Sequence, residues 1–350
     1  MDRKILQRLA IVFVVLLVVY LVTIPRQKGV NVDELVQNVV FGFSADDVKH
    51  IDIYKETEDK PAQVQISMVE DEWRVLTHHN AKGSKSKIDK LLKDVLEMTG
   101  NVRSTDPKHL ETYKITDTQG LHMILKDEGE KPLANLIIGK RSEDANSGFV
   151  RFSGFDKVYA VDKNLLSSLA VHGDVDTVTV LKQSNWVELQ AVNKKADDYA
   201  EVALVSNGKN VHIRKVEKTK EETIDDSTIT KQVEEWILVK NNREIDLDQK
   251  EINNFFRDVG KIRGTEVVDQ ISNSLMQMNK VNQYGLGRPA HYIVFQKPDG
   301  TRENVFFGKA YEKDKGYYMQ TQDDGLVYKV SKYNFDKIVK WVEELPKKTV

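Results

Sequence analysis

Two parts of the chain carry nearly the same order of apolar and polar positions. Alternating, strand-like runs occur in "GFVRFSGFDKVYAV", which starts at Gly148, and in "GYYMQTQDDGLVYKV", which starts at Gly316. Each run ends a series of four landmarks: an Ile-containing strand, a Glu-Trp pair, a Gly-Lys strand end and a Val-Tyr pair. They stand at Ile53, Trp73, Gly139 and Tyr159 in the first series, and at Ile213, Trp236, Gly308 and Tyr328 in the second. The recurrence predicts two copies of one module.

A helix is predicted between the Trp and Gly landmarks of each copy. The segments are "KIDKLLKDVLEM" and "EINNFFRDVGKI", in which apolar residues recur at the 3.6-residue period of an amphipathic helix. The predicted buried stripes are Ile88, Leu91, Leu92 and Val95 in the first copy, and Ile252, Phe255, Phe256 and Val259 in the second.

Hairpins and closing helices complete each copy. "LHMILK" and "ANLIIG" flank one turn, and "YIVFQK" and "ENVFFG" flank another, each turn ending in glycine. A closing helix begins near Asp162 in the first copy and near Ser331 in the second, where it stops before Pro346. The predicted fold is α+β: an N-terminal transmembrane helix followed by two tandem repeats of a mainly antiparallel sheet-plus-helix module.

The chain divides into five predicted segments. They are a membrane anchor (1–28), an amphipathic stalk (29–46), the first repeat (47–170), a connector with docked strands (171–206), and the second repeat with its C-terminal helix (207–350). In the stalk, Val32, Leu35, Val36, Val39 and Val40 fall at helical intervals, and Ser44 precedes Asp47 in the pattern of a capping box. "WVELQAV" and "AEVALV" are the expected strands of the connector.

The N-terminus contains one long apolar run. Leu9 to Ile24 carries no charge, and extension to Ile5 gives about 20 residues, enough for one membrane-spanning helix. The run is longer than a typical signal-peptide core, and Val22-Thr23-Ile24-Pro25 is a poor cleavage site, which favours an uncleaved anchor. Arg3, Lys4 and Arg8 precede the run, so we expect a cytoplasmic N-terminus and an exported body.

Composition narrows the function classes. The net charge is −2, but residues 1–28 hold five basic and one acidic side chain, which leaves 47 basic and 53 acidic side chains and a net of −6 for the rest. An acidic body disfavours nucleic-acid binding. The chain has no cysteine, so disulfides, thiolate zinc sites and thiol nucleophiles are excluded.

The element "QYGLGRP" (Gln283 to Pro289), followed by a hairpin, "FFGK" and "VYKV", is similar to the family called domain of unknown function 4340. The resemblance covers about residues 45–345. In the first copy "TYKITDTQ" keeps Tyr113 but lacks the glycine and proline, which leaves its turn geometry open. The resemblance implies a protein anchored in the bacterial inner membrane with a periplasmic body. It also implies genes encoded beside ABC-transporter components like those of gliding motility or auxiliary export, and it transfers no catalytic motif.

The interaction or turn element proposed from the sequence consists of Tyr284, Gly285, Gly287, Arg288 and Pro289. A structural turn is the favoured interpretation, because glycine permits positive φ and proline directs the chain into the next strand. The alternative is a ligand-contacting loop, although no phosphate-binding glycine spacing occurs.

Other candidates for chemistry are weak. His172, Asp174 and Asp176 would share one face of an extended segment and suit a hard metal, but a solvated loop is favoured. The adjacent pair His78 and His79 lacks ligand spacing. The two Trp landmarks are expected in the cores and not as sugar platforms. We therefore predict no catalytic residue, no metal site and no cofactor.

The leading hypothesis is a non-catalytic, membrane-anchored extracytoplasmic interaction protein that serves an ABC-type transport or gliding-type assembly. Its predicted partners are the bilayer, through residues 5–24, and a membrane protein such as an ABC transporter permease. The alternative is a sensor or carrier that binds a lipid, glycan or peptide in the cleft between the modules. A cell-envelope hydrolase is the third possibility.

Overall fold

The computed structural model describes residues 37–56, 62–224, 227–272, 275–313 and 315–349. The predicted anchor (1–28) and the first part of the predicted stalk (29–36) lie outside these ranges. Within the described part of the chain, no helix is both long enough and apolar enough to span a membrane.

A first large sheet occupies the N-terminal half of the described chain. Its strands are β1 (Gln37–Asn38), β2 (His50–Lys55), β3 (Ala62–Val69), β4 (Glu72–Val75), β5 (Ala81–Lys82), β6 (Thr99–Ser104), β7 (Leu121–Lys126), β8 (Pro132–Arg141), β9 (Gly148–Phe152) and β10 (Val158–Val161). The order across the sheet is β1-β6-β10-β9-β8-β7-β2-β3-β4-β5. Every pairing is antiparallel.

A second large sheet and a two-stranded ladder follow. The strands are β11 (Gln190–Asn193), β12 (Glu201–Ser206), β13 (Lys209–Ile224), β14 (Ser227–Lys240), β15 (Arg243–Asp246), β16 (Lys261–Arg263), β17 (Glu266–Gln270), β18 (His291–Gln296), β19 (Arg302–Tyr311), β20 (Gly316–Thr321) and β21 (Leu326–Ser331). The large sheet has the order β15-β14-β13-β12-β18-β19-β20-β21-β17, and β11 pairs with β16. These pairings are also antiparallel.

Helices cover the sheets. They are α1 (Lys85–Leu96), α2 (Leu165–Ser168), α3 (Gln249–Val259), α4 (Met278–Tyr284), α5 (Lys332–Val339) and α6 (Trp341–Glu344). The side chain of Asp248 caps α3 by accepting from the Lys250 amide at 2.9 Å, and Ser331 caps α5 by accepting from the Asn334 amide at 3.3 Å. Both predicted helical stripes are buried. The prediction of an α+β fold with mainly antiparallel sheets is therefore confirmed.

A large hydrophobic core extends through both sheets, and two smaller clusters of buried residues accompany it among the described residues. The large core contains both helical stripes together with Trp73 and Trp236, which are 6% and 5% exposed. The expectation that the two tryptophans fill the core is confirmed. Each apolar helix face packs on the inward-pointing residues of its sheet, and burial of such large side chains is the main favourable contribution to folding.

The segment between the two sheets is ordered and bridges them. Trp186 is buried, and its carbonyl accepts from the Ser84 amide at 2.6 Å beside β5. A few residues later, Lys194 donates its amide to the Gly260 carbonyl at 2.7 Å, at the start of β16. "AEVALV" forms β12, which lies inside the second sheet between β13 and β18. The segment therefore ties the edge of one sheet to the other.

The helical stalk predicted over 29–46 is wrong for its described part. Gln37 and Asn38 form a strand that pairs with β6, and Val39 and Val40 are both buried in the core. Val39 and Val40 follow this strand in a bend, not in a helix. The predicted capping box is confirmed, because Ser44 donates its amide to Asp47 Oδ2 at 2.7 Å ahead of β2.

One pair of matched landmarks, Ile53 and Ile213, lies in strands that occupy different positions in their sheets. Ile53 lies in β2, which pairs with β3 and β7, whereas Ile213 lies in β13, which pairs with β12 and β14. β2 pairs with the first strand of the β7–β8 hairpin. In the second sheet the strand that pairs with the first strand of the β18–β19 hairpin is β12, not β13. The match of Ile53 with Ile213 is therefore wrong, because both strands alternate in the same way and only their hydrogen-bonding partners distinguish them.

Candidate functional site

The element proposed from the sequence is the C-terminal end of α4 and the turn that follows it. Gly285 has φ of +71° and ends the helix in the left-handed conformation, while the Leu286 amide donates to the Val281 carbonyl at 2.9 Å. This is the hydrogen-bonding pattern of a Schellman-type helix end. Gly287 and Arg288 are exposed and Pro289 is half-buried as the chain turns toward β18.

Tyr284 belongs to the interior and not to the exposed part of this turn. Its hydroxyl donates to Asp269 Oδ2 at 3.1 Å, and Lys280 Nζ binds the other carboxylate oxygen at 2.6 Å. Burial and the hydrogen bond to Asp269 raise the pKa of Tyr284 to about 12. Of the five residues in the proposed element, Tyr284 is therefore a buried anchor for β17, and the other four form the turn.

A polar cleft of about 550 Å³ lies where the two sheets meet. One wall comes from β4 and β5 of the first sheet and another from the β20–β21 turn. The lining residues are Glu72, Arg74, Lys82, Glu188, Gln190, Ala191, Asn193, Asp323, Asp324 and Tyr328. On the first wall Glu72 pairs with Arg74 at 3.0 Å and with Lys82.

Backbone hydrogen bonds hold the walls of the cleft together. The Glu188 amide donates to the Lys82 carbonyl at 2.7 Å, and the Gly264 amide donates to the Leu189 carbonyl at 2.8 Å. A side chain of the first sheet also reaches the second, because His78 Nε2 donates to the Val267 carbonyl at 3.1 Å. The cleft is thus built from fixed backbone on both sides.

Tyr328 is the most deeply buried tyrosine of the second sheet that lines the cleft. It is 2% exposed, and its ring packs beside Gly264, where an added Cβ would come within 2.9 Å of the ring. Burial raises the pKa of Tyr328, and the carboxylates of Asp324 and Glu188 raise it further. Among the described residues, none forms a hydrogen bond with its hydroxyl. The ring is buried while the hydroxyl borders the cleft, so it is available to form a hydrogen bond with a bound molecule.

A charged cluster lies beside the cleft. Glu303 accepts from the Tyr199 hydroxyl at 2.5 Å, pairs with Lys297 at 2.7 Å and pairs with Lys194, which also reaches Asp323 at 3.3 Å. Burial alone would raise the pKa of Glu303, but the hydrogen bonds from Lys194, Lys297 and Tyr199 outweigh it and lower the pKa to about 2. This ionised carboxylate ties the connector to the β18–β19 hairpin.

A two-stranded ribbon extends from the second sheet. β13 and β14 stay in register from Ile213 opposite Leu238 to Ile224 opposite Ser227, whereas β12 pairs with β13 only as far as Arg214. β15 pairs with β14 only from Ile237 onward. We call the residues 217–224 and 227–234 the ribbon. At about 3.3 Å per residue its eight paired positions span roughly 26 Å.

The weaker sequence candidates have structural roles. Asp174 precedes a 3₁₀ turn (Val175–Thr177), and Asp176 lies within it. Their carboxylate oxygens are 3.7 and 2.9 Å from Lys114 Nζ. His79 is exposed beside His78, and partial desolvation of its ring lowers its pKa. In the described ranges, no group of three or more His, Asp or Glu side chains is arranged to hold a metal ion.

The alternative hypothesis from the sequence included a cleft between the modules, but it named none of the residues that line this one. Tyr328 was identified only as part of a strand pattern, and Glu188 and Asp324 carry no motif. Their proximity depends on the contact between two sheets, which no local spacing encodes. The ribbon had a visible signal, because the polar run from Glu217 to Thr228 interrupts two otherwise alternating strands.

Comparison with known families gives one result. A family model described as Domain of unknown function (DUF4340) matches residues 73–273. This range includes the Trp landmark of each copy, the connector and the ribbon. No match is found among the curated proteins.

Proposed function

The chain belongs to the DUF4340 family, and from that premise we propose that it is a non-catalytic interaction protein of the bacterial cell envelope. Its apolar N-terminal run, residues 5–24, would hold it in the inner membrane with the body outside the cytoplasm. Its role would be that of an accessory subunit in an ABC-type transport or gliding-type assembly. The ribbon is the observation on which the docking part of this proposal rests.

The ribbon presents two strand edges for pairing. Beyond Lys215, β14 is the only strand among the described residues that pairs with β13, and β14 in turn has no second strand partner before Ile237. Side chains near its base are exposed, among them Glu217, Thr219, Lys231 and Gln232. Unpaired backbone N–H and C=O groups in such a row are a template for a further strand.

The occupant we propose is an extended segment of a membrane-protein partner such as a transporter permease. It would add to the ribbon as a third strand, so that main-chain hydrogen bonds supply affinity and side-chain pockets supply specificity. Charges of both signs line the ribbon base, where Lys220 pairs with Glu235 at 2.5 Å and Lys218 pairs with Asp246. These pairs orient the ribbon on the body and oppose unspecific pairing between identical chains.

We also propose that the two sheets are copies of one duplicated module. Read from β5, the first sheet has the order β5-β4-β3-β2-β7-β8-β9-β10-β6-β1, and read from β15 the second has β15-β14-β13-β12-β18-β19-β20-β21-β17. Apart from β1, which has no counterpart, and β16, which pairs with β11, the strands fill corresponding positions in the same chain order, and α1 and α3 each follow the fourth of these strands. The hairpin at the ribbon's position in the first sheet, β3–β4, is short, so the ribbon would be an insertion specific to the second copy.

Purification of the full chain from its native host in mild detergent tests the docking proposal. The variant replaces residues 217–234 by Asn-Gly, which closes Val216 onto its partner Glu235 with a two-residue hairpin turn. Substitution of the exposed loop residues Glu143 and Asn146 by alanine provides the control.

We expect one envelope membrane protein at stoichiometric levels with the unaltered chain and the control, and its loss from the shortened variant. A cooperative melting transition in the shortened variant would show that it still folds. Equal recovery of the partner by the shortened variant would refute the role of the ribbon. Recovery of the unaltered chain alone would refute docking altogether.

A further inference from the structure

We propose that the cleft between the two sheets is a binding site for a small polar molecule that carries a protonated amine and hydroxyl groups. This site is separate from the ribbon and independent of the docking role. Its volume of about 550 Å³ lies within the range of small-molecule pockets and would hold a ligand of one or two sugar units.

The first argument is the state of Tyr328. The Tyr328 residue is 2% exposed and lines the cleft. No described residue shares a hydrogen bond with its hydroxyl. Tyr328 lines the cleft together with Asp324, Glu188 and Arg74, so a molecule in the cleft would meet all four side chains. A ligand hydroxyl would form a hydrogen bond with the Tyr328 hydroxyl there.

The second argument is an imbalance of charge. On the walls Glu72 is paired with Arg74 and Lys82, and Asp323 is paired with Lys194. Glu188 and Asp324 have no ion-pair partner among the described residues. Both are half-buried, so their charge is screened less than that of a surface group. An ammonium group is the complementary charge.

The two carboxylates are also positioned for a ligand. Glu188 Oε1 accepts from the Gln190 amide at 2.8 Å, and Asp324 Oδ1 accepts from Thr321 Oγ1 at 2.7 Å and from the Leu326 amide at 2.9 Å. These hydrogen bonds use one oxygen of each carboxylate and hold it in place. The second oxygen of each is left for an N–H donor, and fixed groups of this kind lose little entropy on binding.

The test uses glucosamine and N-acetylglucosamine, which share a hydroxylated ring but differ in the charged amine. Isothermal titration calorimetry on the purified full chain measures both. We expect glucosamine to bind and N-acetylglucosamine to bind at least about tenfold more weakly, a difference of about 1.4 kcal/mol. Equal affinities, or no heat of binding with about 20 mM glucosamine, would overturn the proposal.

Variants assign the binding to the cleft. The double variant Glu188→Gln/Asp324→Asn should weaken glucosamine binding at least about tenfold, and Tyr328→Phe should weaken it about threefold to tenfold. The control, Asp89→Asn/Glu343→Gln, removes the same charge at exposed ion pairs outside the cleft and should bind as the unaltered chain does. Urea unfolding checks that each variant is folded. Unchanged binding by both folded cleft variants would refute the assignment.

Discussion

The backbone carbonyl of Tyr284 lies directly against Gly308, where a Cβ would come within 2.0 Å of the carbonyl oxygen. The first sheet contains the same relationship, because a Cβ on Gly139 would lie 2.5 Å from the carbonyl oxygen of Tyr113. The glycine of each Gly-Lys strand end is therefore required by a turn that packs across the strand. A side chain at either position has no space to occupy.

The turn before each of these glycines also has the same hydrogen bonds. The Ile115 amide donates to the Leu110 carbonyl at 3.0 Å, as the Leu286 amide does to the Val281 carbonyl at 2.9 Å. Lys114 adopts φ of +51°, where the second copy has Gly285 at +71°. The missing glycine of "TYKITDTQ" therefore leaves the turn geometry intact, at the cost of a strained lysine backbone.

Substitution of Gly308 by alanine should destabilise the protein by at least about 2 kcal/mol, because the new Cβ meets immobile backbone. Gly287→Ala is the matched control two residues beyond Gly285. Its Cβ would meet only side-chain atoms, at 3.4 and 3.6 Å, and should change the free energy of unfolding by less than about 0.5 kcal/mol. Urea denaturation measures both values. Equal effects of the two substitutions would contradict the packing described for Gly308.

The charged cluster around Glu303 predicts a pH-dependent contribution to stability. The pKa of Glu303 falls from 4.5 to about 2 on folding, so its stabilising effect is complete above about pH 4.5 and is lost as the pH falls toward 2. Glu303→Gln should cost roughly 2–4 kcal/mol at pH 7, because Lys194 loses its nearest carboxylate in a half-buried site.

The difference in free energy of unfolding between the unaltered chain and Glu303→Gln should therefore shrink between pH 5 and pH 3. Denaturant titrations at several pH values measure it. Glu244→Gln, at an exposed pair with Arg214, is the control and should have little effect at any of these pH values. A difference that stays constant down to pH 3 would show that Glu303 is not the group responsible.

The buried tryptophans give a third prediction, which separates a structural role from a binding role. Trp236 packs against Phe256 with ring centroids 5.2 Å apart, and Trp73 touches the segment at Gly83. Trp73→Ala and Trp236→Ala should each cost about 3–5 kcal/mol in unfolding free energy. Tyr333→Ala, at a 74% exposed ring, should be nearly neutral. A small loss of stability at the tryptophans would revive their interpretation as sugar platforms.

Local patterns in the sequence predicted the elements that local physics determines. The stripe from Ile88 to Val95 predicted α1, and alternation with a glycine turn predicted the hairpins, because both depend on neighbours within a few residues. Pairing between distant strands was predicted less well. The match of Ile53 with Ile213 failed because β2 and β13 have the same alternation but different neighbours in their sheets.

The cleft could not be predicted from local spacing. Glu188 precedes a short strand and Asp324 lies in a hairpin turn, and each is ordinary in its own segment. They approach Tyr328 only because backbone hydrogen bonds from the connector fix one sheet against the other. The sequence signal for the ribbon was stronger, since a long polar run between two strands implies a hairpin that extends beyond its sheet.

Site-specific photocrosslinking in the native host tests the docking role most directly. A photoreactive side chain at Thr219 or Lys231, both exposed on the ribbon, would report contacts there, and the same group at exposed Lys90 on α1 is the control. We predict that both ribbon positions yield an adduct with the same membrane protein and that the Lys90 position does not. Adducts at Lys90 alone, or none at either ribbon position with the partner present, would contradict the account.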